Sequence, residues 1–359
     1  MNSNLNSIAS RIGAYTPFGK IAGRTLLAAI AGFWLAPQVA QTAIIPNYQF
    51  NGKGNWSIDA IGSNSDPVGL VTASVPLGST IEKAFLYSSM TSGYQNTIPN
   101  VQLGSTVYSP ASFTPLGINL NLQAYRADVT AQMQAELNGG SALPVNFSVR
   151  ELSNNTLTDG EALVIIYSNP AEQTRTIGIL DGFASSGGDN TVVTFSSPID
   201  TTLPGFEALL SLGIGYSFQS SGQVSNVDVS IGSRRLTSSA GGQDDGIGAN
   251  GGLITIGGIG DSAANPAPFA TDAGGPRTDD ELYNLALGNS DNPLPFLPNG
   301  TTSFSLRTAN PSADDLVFFV GFNVTADGII TPEPSSVVLA AFGMLSLVVV
   351  GYRRRTRKG

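Results

Sequence analysis

The sequence predicts a mainly β protein. It reads as one or two β-sandwich units, jelly-roll-like, with a few short helices, set between an N-terminal signal helix and a C-terminal transmembrane helix. Three observations lead there. The 359 residues include 42 Gly and 21 Pro with only 12% charged residues, a composition of short strands joined by many turns. Apolar stretches in the middle are short, rich in Val, Ile, Phe and Tyr, and bounded by Gly, Pro, Asn and Ser. The two ends carry apolar runs of another kind, longer or flanked by basic residues.

Residues 1–43 read as an export signal. Arg11, Lys20 and Arg24 form a positive region ahead of the apolar core Thr25–Ala36, too short for a stable span and suited to a secretory signal. Ala40 or Ala43 fits the last position before cleavage, although Gln38 and Gln41 stand where a small residue is preferred. An uncleaved N-terminal anchor is the alternative.

From Ile44 to about residue 328 the pattern is that of an exported β-rich body, with a subdivision near 184–190. Val68–Val75 and Ile81–Ser88 are strands separated by a turn at Pro76-Leu77-Gly78, and Val101–Tyr108 alternates as one half-buried strand would. Asp128 is placed to N-cap a helix in which Val129, Met133 and Leu137 recur at four-residue spacing, with Asn138-Gly139-Gly140 as its stop; a packing element on a sheet face is the expected role. Val145–Arg150 follows. Glu161–Tyr167 is almost wholly apolar, which predicts a central strand covered on both faces. Thr176–Phe183 and Val192–Phe195 are further strands. Pro204–Leu212 reads as one or two helical turns opened by Pro204. Ile214–Phe218 and Val224–Ile231 read as a hairpin. Residues 238–276 form a Gly/Asp-rich loop, expected to be flexible, whose sustained apolar run is Leu253–Ile256. Thr278-Asp279-Asp280-Glu281 is a capping box ahead of a short helix, Leu282–Leu287. Thr302–Thr308 and Leu316–Val324 close the body, and a short linker leads on. No internal repeat of fixed period is visible, which argues against a propeller or solenoid.

The tail, 331–359, has three ordered parts. Pro332-Glu333-Pro334 is stiff and extended, because each proline fixes its own φ and biases the residue before it. Ser335–Tyr352 is apolar and uncharged, and at ~1.5 Å per residue it reaches ~27 Å, enough to cross a hydrocarbon core. Arg353, Arg354, Arg355, Arg357 and Lys358 then form a cluster that orients the span with its end in the cytoplasm. This order resembles the PEP-CTERM sorting tail of Gram-negative bacteria. The resemblance implies recognition by an exosortase-type membrane protease that cuts near Pro332-Glu333-Pro334, with the body released or re-attached outside. An ordinary single-span anchor with a chance tripeptide is the plainer alternative. The body, through Ala127–Thr130, Asp159–Tyr167, Arg175, Asp181-Gly182, Asp279–Tyr283 and Asn310–Phe319, is similar in broken pieces to exported β-sandwich-like bodies of uncharacterised function that often carry this tail.

Composition narrows the chemistry. The chain has neither Cys nor His, which removes Ser-His-Asp and Cys-His catalysis and the ordinary zinc or copper site. The formal charge is −9, but residues 44–330 hold nine Lys and Arg against 25 Asp and Glu, a net of −16, a surface that repels nucleic acid. The doublets Asp244-Asp245, Asp279-Asp280 and Asp314-Asp315 are candidate calcium ligands, without the spacing of an EF-hand; the plainer reading is helix starts and turns. No other cofactor is expected. Tyr87, Tyr94, Tyr108 and Tyr125 could stack on sugars, or at strand spacing serve as core and cross-strand residues. Matches to Asn-X-Ser/Thr at Asn55, Asn146, Asn154, Asn299 and Asn323 are expected by chance in so Asn- and Ser-rich a chain.

The expectation is therefore an exported, non-catalytic surface or matrix protein, processed at its C-terminal tail and associated, by resemblance, with exopolysaccharide and biofilm. The alternative is a secreted carbohydrate-active enzyme working through a carboxylate pair, which needs no histidine.

Overall fold

A computed structural model of the chain describes residues 44–62, 68–91, 98–119, 122–152, 158–184, 188–215, 226–229, 234–238, 254–265, 281–311 and 316–332. The signal segment, the apolar tail and the three aspartate doublets lie outside these residues. Among the described residues no helix is long and apolar enough to cross a membrane.

The described chain is mostly antiparallel β. In order it forms β1 (Ile45–Gly62), β2 (Val68–Ala73), β3 (Thr80–Thr91), β4 (Val101–Leu103), β5 (Thr106–Tyr108), β6 (Phe113–Asn119), β7 (Leu122–Asp128), helix α1 (Thr130–Leu137), β8 (Val145–Glu151), β9 (Thr158–Ser168) and β10 (Thr174–Asp181). Then come β11 (Asp189–Phe195), β12 (Ala208–Gly215), β13 (Asn226–Val229), β14 (Arg234–Thr237), β15 (Ile254–Ile256), β16 (Leu282–Asn284), β17 (Ser303–Ala309), β18 (Leu316–Val324) and β19 (Gly328–Pro332). A large sheet runs β15-β12-β18-β10-β1-β9-β3-β7-β6, with β16 beside β12. A five-stranded sheet runs β14-β13-β17-β11-β19, and a four-stranded sheet runs β2-β8-β4-β5.

Three apolar cores follow from strand alternation. β9 shows it best: Leu163, Ile165 and Tyr167 enter the core shared with the four-stranded sheet, through Val71, Val101, Phe147 and Val149. Ala162, Val164 and Ile166 enter a second core, with Ile177, Ile179 and Phe319 from the other half of the large sheet. Buried on both faces, this strand has to be apolar throughout, which is why its sequence shows no alternation. The third core joins Leu210, Leu212 and Ile214 of β12 and Val320 and Phe322 of β18 to Val193, Val227, Phe304 and Ile330 of the five-stranded sheet. Each such side chain contributes roughly 1.5–3 kcal/mol by leaving water.

β1 is the spine. Its first half, Ile45–Lys53, pairs with β10, and its second half, Gly54–Gly62, pairs with β9. The handover needs glycine: a Cβ at Gly54 would lie 2.2 Å from the Tyr167 carbonyl oxygen and 2.8 Å from the Phe50 ring.

Several expectations are corrected. Val101–Tyr108 is a hairpin of β4 and β5 rather than one strand, because Gly104 takes a φ of +58° and turns the chain. Pro204–Leu212 is not helical. Pro204 lies in a turn, and from Ala208 the chain pairs with β18, alternating into the third core. Leu282–Leu287 likewise begins as β16, since Leu282–Asn284 find their backbone partners on Leu209–Ser211. Among the described residues the hairpin expected between Ile214–Phe218 and Val224–Ile231 is not seen: β12 belongs to the large sheet, whereas β13 pairs with β14 and β17. For β12 and β16, sheet pairing outweighs local helix propensity. Helix α1 stands as expected, with Met133 and Leu137 buried against a sheet face. Its cap position falls on Val129, one residue later than predicted, while the Asp128 carboxylate accepts the Thr130 N–H at 3.0 Å. After β18 there is no free linker, because β19 forms directly.

Candidate functional site

The tripeptide predicted as a sorting signal begins inside the fold. Pro332 is the last residue of β19, opposite Thr191 of β11, in a register that also pairs Ile330 with Val193 and Gly328 with Phe195. Glu333 and Pro334 lie outside the described residues, as do Arg353, Arg354, Arg355, Arg357 and Lys358. Asp244, Asp245, Asp279, Asp280, Asp314 and Asp315, the candidate calcium ligands, lie outside them too. Among the described residues no group of three or more Asp and Glu is placed to hold a metal.

What positions Pro332 is a set of contacts on both edges of β19. Successive residues of a strand turn their N–H and C=O groups to opposite edges. Ile329 and Thr331 face β11, and the Asp327 carbonyl just ahead of the strand accepts the Ser196 N–H at 2.9 Å. Gly328, Ile330 and Pro332 face β1. There the Gln49 side chain serves as a surrogate strand: Oε1 accepts the Ile330 N–H at 3.1 Å, and Nε2 donates to the Gly328 carbonyl at 2.7 Å. Asn51 Nδ2 adds a bond to the same carbonyl at 3.2 Å. Thr176 Oγ1 donates to the Ala326 carbonyl at 2.7 Å. Proline can end this strand because its missing N–H falls on the edge away from the β11 ladder. Ile330 is the apolar pin, 7% exposed, and it sits over Gly178 of β10, where a Cβ would come 1.7 Å from Ile330 Cδ1. Ile329, on the outer face, is 58% exposed.

The second half of β1 treats the other outer sheet in the same way. The Asp59 carboxylate accepts the Thr72 N–H of β2, and Ser57 Oγ accepts the Ser74 N–H at 2.9 Å. Burial pushes the Asp59 carboxyl above its ordinary range, against the opposing pull of the Thr72 hydrogen bonds. One strand thus occupies backbone groups at the edges of both smaller sheets with its own side chains, which also blunts those edges against stray pairing.

Between the halves of the large sheet lies a polar knot. Tyr87 OH donates to Asp181 Oδ2 at 2.9 Å, and Arg126 Nη1 donates to the same oxygen. Burial raises the Asp181 carboxyl despite Arg126, and burial with the neighbouring Asp181 charge raises Tyr87 well above its usual value. Asn47 adjoins both groups and favours their charged forms, yet its Nδ2 makes no hydrogen bond of normal length. Tyr87 packs edge-on against Phe319, with ring centroids 5.3 Å apart. Tyr87 and Tyr125 are buried, so the core reading of the tyrosines holds for them; Tyr108 is half-buried with its hydroxyl on Gln132 Oε1 at 2.7 Å, and Tyr94 lies outside the described residues.

At the far side of that interface Arg175, 5% exposed, pairs with Glu207 at 2.8 Å and donates to Asn323 Oδ1 at 3.3 Å. Asn323 Nδ2 in turn donates to Asn55 Oδ1 at 2.6 Å. This chain ties β1, β10 and β18 to Glu207, the residue just ahead of β12.

Gln49, Asn51, Gly178 and Ile330 were not singled out from sequence. The one available signal was the β-branched pair Ile329-Ile330 just ahead of the proline; nothing in the sequence tied it to Gln49, 281 positions away.

No family model matches the chain, and no curated protein does. Among solved structures, the major capsid protein P2 from Bacteriophage PM2 is similar at 10% identity and a TM-score of 0.19, over 80% of this chain and 99% of that one. PNGF-II is similar at 11% identity and a TM-score of 0.22, over 86% of this chain and 68% of that one. Likeness this distant carries no argument about fold or function.

Proposed function

We propose that this chain is the precursor of an exported, non-catalytic cell-surface or extracellular-matrix protein. Residues 1–43 direct export, residues 44–328 form the β-rich body, and residues 331–359 are a PEP-CTERM tail. Its partners are an exosortase-type membrane protease, the membrane itself through 335–352 before processing, and exopolysaccharide outside the cell. Pro332, Glu333 and Pro334 carry the processing signal, and the basic cluster from Arg353 to Lys358 retains and orients the precursor. Calcium bound at the aspartate doublets remains part of this proposal.

One observation carries the reading: the ordered tail of tripeptide, apolar span and basic cluster follows directly on a body whose last described strand reaches the tripeptide's first proline. A sandwich-like body whose described strands run up to Pro332 suits a protein that is cut just beyond it. Mass spectrometry of the mature protein's two ends, recovered from cells with a competent exosortase, tests the proposal. The expected product starts near residue 41 or 44 and lacks 335–352. A mature protein that keeps this span would overturn it.

A further inference from the structure

Proteases take their substrates in extended form, and they cut most readily where the backbone is exposed and unpaired. The backbone leading into Pro332 is neither. It is paired with β11 on one edge, held by Gln49 and Asn51 on the other, and pinned by Ile330 in the space that Gly178 leaves open. The Asp327 carbonyl is likewise engaged, by both the N–H and the hydroxyl of Ser196, each at 2.9 Å.

We infer that β19 is a latch: it withholds the bonds from Asp327 to Pro332 from proteolysis while the body is folded, and so confines processing to bonds that follow Pro332. Two consequences attach to this. A cut beyond Pro332 leaves all five strands of that sheet in the body. A chain whose body has not closed exposes the same stretch and is open to destruction rather than maturation, so the latch makes a correct cut depend on a finished fold. The biological purpose of the latch rests on the processing proposed above; its physical content does not.

The test uses full-length protein in detergent, digested briefly with proteinase K, with the new termini read by mass spectrometry. Native protein is expected to yield no termini between residues 327 and 332, and protein in strong urea to yield them readily. Gln49→Ala removes two bonds to β19 and is expected to raise the rate of cutting within 328–331 about tenfold, provided opening is fast relative to cleavage. Asn51→Ala, which removes the single longer bond, is expected to raise it only about two- to threefold and serves as the milder variant should the first fail to fold. Termini within 327–332 from native protein at the rate seen in urea would overturn the latch. So would a mature C-terminus upstream of Pro332 in cells. If native digestion spares 327–332 while cells never remove 335–352, the latch stands and the sorting proposal falls.

Discussion

Gly178→Ala is the most direct probe of how β19 is seated. A methyl group at position 178 would meet Ile330 Cδ1 at 1.7 Å and Cγ1 at 3.1 Å. The first distance is impossible without movement, and the second needs a shift of a few tenths of an ångström. Overpacking of this kind costs about 1–3 kcal/mol, here by rotating Ile330 or lifting β19 from β10. Ile330→Val alone deletes Cδ1 and costs about 0.5–1.5 kcal/mol. In the double variant the clashing atom is absent, so the two costs are expected not to add, falling short of their sum by at least about 1 kcal/mol. Urea unfolding followed by the fluorescence of Trp56 gives all four stabilities. Additivity within about 0.5 kcal/mol would mean that Ile330 does not lie over Gly178, and the seating of β19 described here would be wrong.

Other outcomes are open to the same measurement. Tyr87→Phe removes a buried hydrogen bond to a carboxylate and is expected to cost about 1.5–3 kcal/mol; no loss would show that Asp181 is satisfied by Arg126 alone. The Asp59 carboxyl has a folded pKa raised by burial, so its contribution to stability is largest in acid and falls as pH rises from about 4 through the folded value. Asp59→Asn is therefore expected to gain stability relative to the parent between pH 4 and pH 7, and a constant difference across that range would contradict the assignment. Asp128 runs the other way. Burial raises it, but the bonds from Lys83 and Thr130 outweigh that and leave it lowered, so its stabilising contribution is present at neutral pH and lost as pH falls below about 4. Lys83→Met is expected to cost no more than about 1 kcal/mol at pH 7, because Asp128 is exposed and Lys83 only half-buried. Millimolar calcium is expected to raise the melting temperature by several degrees; no shift would remove the aspartate doublets as a site.

How legible these features were depends on where each strand gets its stability. β9 could be read from its residues because burial on both faces demands an unbroken apolar run. β18 was equally plain for the same reason. β1, the longest strand, was missed altogether. It is punctuated by Asn47, Gln49, Asn51, Lys53, Asn55, Ser57 and Asp59, and several of these bond the edges of neighbouring sheets rather than face water. They alternate with Tyr48, Phe50, Trp56, Ile58 and Ala60, a period-two signal that was there to be read, interrupted by Gly52 and Gly54. β12 and β16 were taken for helix because Pro204 and the Thr278 box are sound local signals, and only the distant partner β18 overrides the first of them. At the candidate site the tripeptide was visible as a motif, but its first proline's place at the end of a paired strand was not. The pairing depends on Thr191 and Gln49, neither of which is near it in the chain.

The order in which β1 finds its neighbours has a bearing on how the molecule comes into being. Ile45 lies against Asp181, Gly54 against Ser168, and Gln49 against Ile330. Whatever emerges first from a ribosome or a translocation pore must wait for more than a hundred residues before either flank is occupied, and for nearly the whole chain before its side chains are all engaged. Such long-range closure is slow. The polar side chains of this strand divide accordingly: Ser57 and Asp59 have partners 17 and 13 residues away, at Ser74 and Thr72, whereas Gln49 meets Ile330 only when the trailing end arrives to finish the architecture.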